Sequence, residues 1–210
     1  MTHGAISVLA ALILGFSFSF ASNRYDPRRL LVTEEANAIG TTFLRAAFLR
    51  AGAADRFRST LREYTQARLA AYTAPTPAGI GAMERKSIAV QDVLWSLVVM
   101  AARDDPRNGQ LGLLTQALNQ TIDISEKQAA ALRSRVPAAM LGLVIVVSLL
   151  STTLLGARFG RARGPQIFLA FLFCLLFATV ITEIVDLDHP QRGLVRVDLT
   201  SLQSQLQRMH

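Results

Sequence analysis

Three apolar runs constrain this chain more than anything else in it: Ala5 to Ala21, Val136 to Ala157 and Pro165 to Val185. A helix rises 1.5 Å per residue, so about 20 apolar residues match the ~30 Å hydrocarbon core of a bilayer. Inside that core every backbone N–H and C=O needs an internal partner, which a helix supplies and an open strand does not. The alternation of Phe16, Phe18 and Phe20 is therefore not read as a strand. The chain is predicted to be an all-α integral membrane protein with three transmembrane helices and a helical extramembrane bundle. The spans fall at 1–22, 136–157 and 165–186, the bundle at 23–135, a basic hairpin at 158–164 and a polar tail at 187–210. The first run is near the short limit for a span. A cleaved signal peptide, with S-F-A-S as its processing site, is the rival reading, but no Lys or Arg precedes the apolar core.

Composition agrees with that partition. Of the 210 residues 51% are hydrophobic, yet the net charge is +7, which fits apolar spans with charges outside them. The arginines lie among acids or beside apolar runs, so lipid headgroups explain them better than nucleic acid does. Cys174 is the only cysteine and sits in an apolar run, so an intrachain disulfide is excluded. His3, His189 and His210 have no metal-ligand spacing. No Gly-rich phosphate loop, H-E-x-x-H, C-x-x-C or G-x-S-x-G occurs. We expect no enzyme activity and no cofactor.

Within the bundle, Arg56 to Tyr72 reads as a helix with Phe57, Leu61, Tyr64 and Arg68 on one face. Thr73 to Gly81 (T-A-P-T-P-A-G-I-G) reads as a loop by composition. Helix resumes over Met83 to Arg103, with Trp95 a core or interfacial anchor. D-D-P-R-N-G at Asp104 to Gly109 is a turn. Leu111 to Leu132 is amphipathic, and Asn119, Asp123 and Lys127 form a ladder at four-residue steps. An ordinary surface ladder and a buried polar role for Asn119 and Asp123 are both open. With Pro137 at the interface, this helix and the second span could form one rod of about 70 Å. Ser201 to Gln207 reads as a short, polar, fraying end.

The stretch from Asn23 to Ala46 carries the most information about function. Arg24, Asp26, Arg28 and Arg29 stand where the first span meets the headgroups, and the helix is expected to continue, kinked, through Pro27. Beyond them Ala36, Ile39, Phe43 and Ala47 form an apolar stripe. Glu34, Asn37, Thr41 and Arg45 form a polar one. A solvated face is the common fate of such a stripe. Short Asn and Thr side chains cannot snorkel, however, so a buried or pore-facing stripe is the preferred reading.

R-Y-D-x-R-R at Arg24 to Arg29, then E-A-N-A-I-G-T-x-x-L-R-A at Glu35 to Ala46, resembles the bestrophin-like family of bacterial membrane proteins. The resemblance continues in L-N-x-T-I-D at Leu118 to Asp123 and R-S-R-V-P at Arg133 to Pro137. It ends in D-L-D-x-P-x-x-G-L-x-R-V at Asp186 to Val197. It implies a kinship with bestrophins, which are oligomeric anion channels. The expected function is an oligomeric pore for small anions, with the lipid bilayer and further copies of the chain as partners. The alternative is a membrane-anchored helical adaptor whose bundle binds another protein.

Basic residues near the span ends lead us to expect the bundle and C-terminus on the cytoplasmic side, and the resemblance implies a bacterial inner membrane. Three spans bring Glu183, Asp186 and Asp188 to the same face as Arg24, Arg28 and Arg29. Asp186 or Asp188 is expected to pair with one of those arginines. Ca²⁺ at Glu183, Asp186 and Asp188 is the rival, suggested by the bestrophin calcium site. Three carboxylates supply few of the about six to eight oxygens that ion prefers.

Overall fold

The computed structural model describes residues 2–133, 137–159, 165–188 and 198–209. Among these the chain is all helix, with no strand. The elements are α1 (Thr2–Arg45), a 3-10 turn (Ala46–Phe48), α2 (Ala51–Thr73), α3 (Pro77–Asp104), α4 (Leu111–Arg133), α5 (Ala138–Phe159), α6 (Pro165–Asp188) and α7 (Thr200–Arg208). They form two compact units. One comprises Met1–Asp26 and Ser134–Arg196, the other Pro27–Arg133 and Val197–His210.

α1 runs without a break through Pro27, as expected. Two boundaries in the bundle differ from the sequence reading. The loop expected over Thr73–Gly81 shrinks to three residues between α2 and α3. Thr76 is the N-cap of α3: its Oγ1 accepts the N–H of Gly79 at 3.1 Å, and Pro77 occupies the first turn. A Pro-rich segment next to a Thr is thus a helix start, because proline at the first helical position sacrifices no intrahelical bond. The break after α1 is the 3-10 turn, and α2 begins at Ala51 rather than at the expected Arg56.

The second unit has one core. Ile39 of α1, Phe57, Leu61 and Tyr64 of α2, Leu94 of α3, and Leu114 and Leu118 of α4 are all fully buried there. Each such aliphatic or Phe side chain stabilises the fold by about 1.5–3 kcal/mol relative to exposure. α7 corrects the expectation of a fraying tail. Leu202 and Met209 are buried in this same core, and Arg62 donates from Nη2 to the Met209 carbonyl. α7 comes close to α1 at Gly40, where a Cβ would lie 2.9 Å from the Gln205 carboxamide and the flexible end of that side chain would have to shift. At the start of α7, Asp198 accepts the Thr200 N–H at 2.9 Å and the Thr200 hydroxyl at 2.5 Å. Those two bonds hold the exposed Asp198 carboxyl below its usual range.

α1 and α4 run antiparallel in this unit, pinned at three heights. Arg28 Nε donates to the Ala131 carbonyl at 3.2 Å. The Thr42 and Thr121 hydroxyls lie 3.0 Å apart. Arg45 Nη1 donates to the Leu113 carbonyl at 2.7 Å.

The first unit has a smaller core of Leu14, Val144, Phe177 and Ile184, with Ser17, Ser148 and Ser151 also buried. Ser148 and Thr152 return their hydroxyls to carbonyls one turn back, at 2.7 Å each. This unit leaves a large apolar surface open: Phe16, Leu149, Phe168, Phe171 and Leu176 are each at least 60% exposed. Among the described residues, no helix is long and apolar enough to cross a membrane. The joint at 134–136, on which the single-rod expectation depends, and residues 160–164 of the basic hairpin lie outside the described residues.

Candidate functional site: the two polar faces of α1

The second half of α1 presents two polar faces with opposite fates. Glu34, Asn37 and Thr41 are exposed and Arg45 is half-buried, so the predicted stripe exists and points outward. Thr41 hydrogen-bonds the Asn37 carbonyl at 3.0 Å, which keeps its hydroxyl along the helix. Leu30 and Leu44, at 59% and 73% exposure, flank the stripe. Arg45 is tied to α4 through Leu113, which fixes its charge at one end of the stripe.

The inward face is Arg28, Val32, Glu35, Ile39, Thr42 and Ala46, all buried, at alternating steps of four and three. The apolar stripe expected through Ala36, Ile39, Phe43 and Ala47 is therefore rotated: Phe43 is half-buried and Ala47 exposed. Sequence reasoning missed Glu35, a fully buried carboxylate. The Ile39 register one turn later was the available signal, since Glu35 lies on the Ile39 side of the helix.

Glu35 anchors a network across α1, α2, α3 and α4. Arg68 Nε donates to Glu35 Oε1 at 2.6 Å and its Nη2 to Oε2 at 3.4 Å. Tyr64 donates its hydroxyl to Oε1 at 2.9 Å. The Gln128 carboxamide oxygen accepts from Arg68 and, at 2.6 Å, from the Tyr72 hydroxyl. Gln91 Nε2 completes the chain, donating to Ser125 Oγ at 2.8 Å and to Tyr64 at 3.4 Å. Burial, and then the Glu35 charge, push both tyrosine hydroxyls above their ordinary range, so they stay protonated donors. Burial alone would weaken Arg68 as a base. The Glu35 charge outweighs that and holds the guanidinium charged. Neutral donors around a matched ion pair are what a buried charge requires.

The remaining predicted residues fall elsewhere. Asn119 and Asp123 are exposed, with Asn119 Nδ2 3.3 Å from Asp123 Oδ2. The buried role considered for them belongs to Thr121, Ser125 and Gln128, on the opposite side of α4. Trp95 is on the outward face of α3, 40% exposed, so it is no core anchor of this chain. Of the headgroup cluster, Asp26 and Arg29 are exposed and Arg28 is buried against α4. Glu183 is exposed and Asp186 half-buried on α6. The side chains of Arg24 and Asp188, on which the expected ion pair and its Ca²⁺ rival partly depend, lie outside the described residues. Among the described residues no group of three His, Cys, Asp or Glu side chains is placed to hold a metal.

A family pattern decides the assignment: the Bestrophin-like domain matches residues 2–202. The chain belongs to the Bestrophin-like family. In its fold this Bestrophin-like chain is similar to a bacterial bestrophin homolog from Klebsiella pneumoniae. The two superpose with a TM-score of 0.80 at 17% identity, over 99% of this chain and 84% of the other. A single-substitution variant of that homolog gives a TM-score of 0.79, again at 17% identity, over 99% and 85% of the two chains. At such identity the likeness is one of fold. No curated protein matches the sequence.

Proposed function

We propose that this Bestrophin-like protein is a subunit of an oligomeric membrane pore that passes small anions. The observation that carries the reading is the division of α1. Its inward face is locked by Glu35, Thr42 and Arg28, so the outward stripe of Glu34, Asn37, Thr41 and Arg45 is held on a rigid support. Short amide and hydroxyl groups can replace part of an ion's hydration shell, and a fixed cation at one end draws anions in. A stripe on one helix encloses nothing by itself, so several copies must contribute theirs. The exposed apolar side chains of α1, α5 and α6 favour a lipid environment, since an open apolar surface of this extent is costly in water. The apolar runs of the sequence support three spans, and the arginines near their ends favour the second unit and the C-terminus on the cytoplasmic side.

One observation favours the adaptor reading. Ile88, Trp95 and Val99 of α3 are exposed at helical spacing, as on a face that takes a partner helix. Mass measurement of the detergent-purified protein, followed by halide uptake into proteoliposomes, separates the two. A multimer that admits halide supports the pore; a monomer or dimer that admits none supports the adaptor.

A further inference from the structure

α2 carries three arginines that face other helices of its unit, and among the described residues only one has a counter-charge. Arg68 has Glu35. Arg58 and Arg62 have no carboxylate within ion-pair reach among the described residues. Glu63, their nearest acidic neighbour along the helix on one side, is taken by Lys86 at 3.0 Å. Arg58 instead lays its guanidinium over the Phe43 ring of α1, 5.4 Å from the centroid. Arg62 has its Nη2 on the Met209 carbonyl at the end of α7. The two arginines are four residues apart, so their side chains leave adjacent turns of the same face.

Both are half-buried, and in both the Nε–H is fully shielded with no acceptor among the described residues. Ser201, on the docked helix α7, adds a third shielded group, a hydroxyl without a partner among the described residues. A shielded donor left unpaired is unfavourable, and more so on a charged group. Two like charges one turn apart add repulsion. Neither a ring face nor one main-chain carbonyl cancels two positive charges. Water could accept the N–H groups but would leave both charges unbalanced.

We propose that Arg58 and Arg62, between the Phe43 ring of α1 and the end of α7, form a binding site for a small oxyanion of the carboxylate type, which accepts the Nε–H of each arginine. A carboxylate has two acceptor oxygens and one negative charge, so it answers the two orphaned donors and halves the unbalanced charge. Because Arg62 also holds the end of α7, an occupied site strengthens the docking of that helix. The site shares no residue with the α1 stripe, and its existence does not depend on conduction.

Acetate tests it on the full purified chain. The thermal midpoint is followed in low-salt zwitterionic buffer as sodium acetate is added, with saturation-transfer NMR of the acetate methyl as a direct readout of binding. A parallel series uses N-acetylglycine, to distinguish a free oxyanion from the carboxyl end of a peptide. The expected result is a saturable rise of about 5 °C at a hundredfold excess over the dissociation constant. Arg58→Lys and Arg62→Lys keep the charge and remove the Nε–H, and each weakens binding at least tenfold. Arg103→Gln, at the exposed end of α3, leaves it unchanged. If the midpoint moves only linearly with salt, or equally in wild type and both Lys variants, and the NMR signal shows no transfer, the proposal is overturned and Arg62 is only the cap of α7.

Discussion

Glu35 and Arg68 meet across α1 and α2 at 2.6 Å, with 0% and 6% of their side chains exposed. The pair fixes the rotation of α1 about its own axis, and hence the direction in which Glu34, Asn37 and Thr41 face. Removing one partner leaves a bare charge in the core. Arg68→Met should therefore destabilise the full chain by about 3–5 kcal/mol, while Glu35→Met together with Arg68→Met should recover most of that loss. Thermal or denaturant unfolding in detergent measures both, and a double variant no better than the single would remove the pair from its proposed role.

The tyrosines set a pH signature. Tyr64 and Tyr72 are raised above the ordinary tyrosine value in the fold. Their contribution is complete below the unfolded value of about 10 and is lost as pH rises beyond it. Stability should be flat on their account through neutral pH and fall above about pH 10. The fall should be shallower in Tyr64→Phe, which has one fewer group to titrate. A profile unchanged by Tyr64→Phe counts against the network as drawn.

α7 is a docked helix, so cutting its anchor should free it. Leu202→Ala removes a fully buried side chain, and losses of about 2–5 kcal/mol are usual for such a change. Hydrogen exchange should report faster exchange across Thr200–Arg208 than across α2. Equal protection in variant and wild type would show that Leu202 does not hold it.

By contrast, Asn119→Ala and Asp123→Ala should each shift stability by less than about 0.5 kcal/mol, because their mutual bond is exposed. A loss of several kcal/mol from either would restore the buried role that their exposure denies.

The helices were readable because their apolar residues recur with the helical period and because D-P-R-N-G breaks the pattern cleanly. Three features were not. Glu35 stands beside Glu34, and only its register with Ile39, one turn on, hints at which acid the rotation of α1 buries. Thr76 caps a helix inside a segment whose prolines and glycines read as loop. α7 has little local signal: Leu202 and Met209 are buried by α1 and α2, and no property of a nine-residue polar segment announces a surface that distant in sequence. The outward stripe, in turn, was legible as residue types at the right spacing. Its support, the Glu35–Arg68 pair and the Thr42–Thr121 contact, is tertiary and was not.

The most direct test of the central claim is the reversal potential of wild type and Arg45→Glu in planar bilayers under a salt gradient. Arg45 is the fixed positive charge of the stripe, and inverting it in a narrow passage changes the barrier for an ion by more than thermal energy. A wild-type reversal potential near the anion equilibrium value, moved toward the cation value by Arg45→Glu, is the predicted result. A wild-type protein that conducts no small anion, or a reversal potential indifferent to Arg45→Glu, would contradict the account.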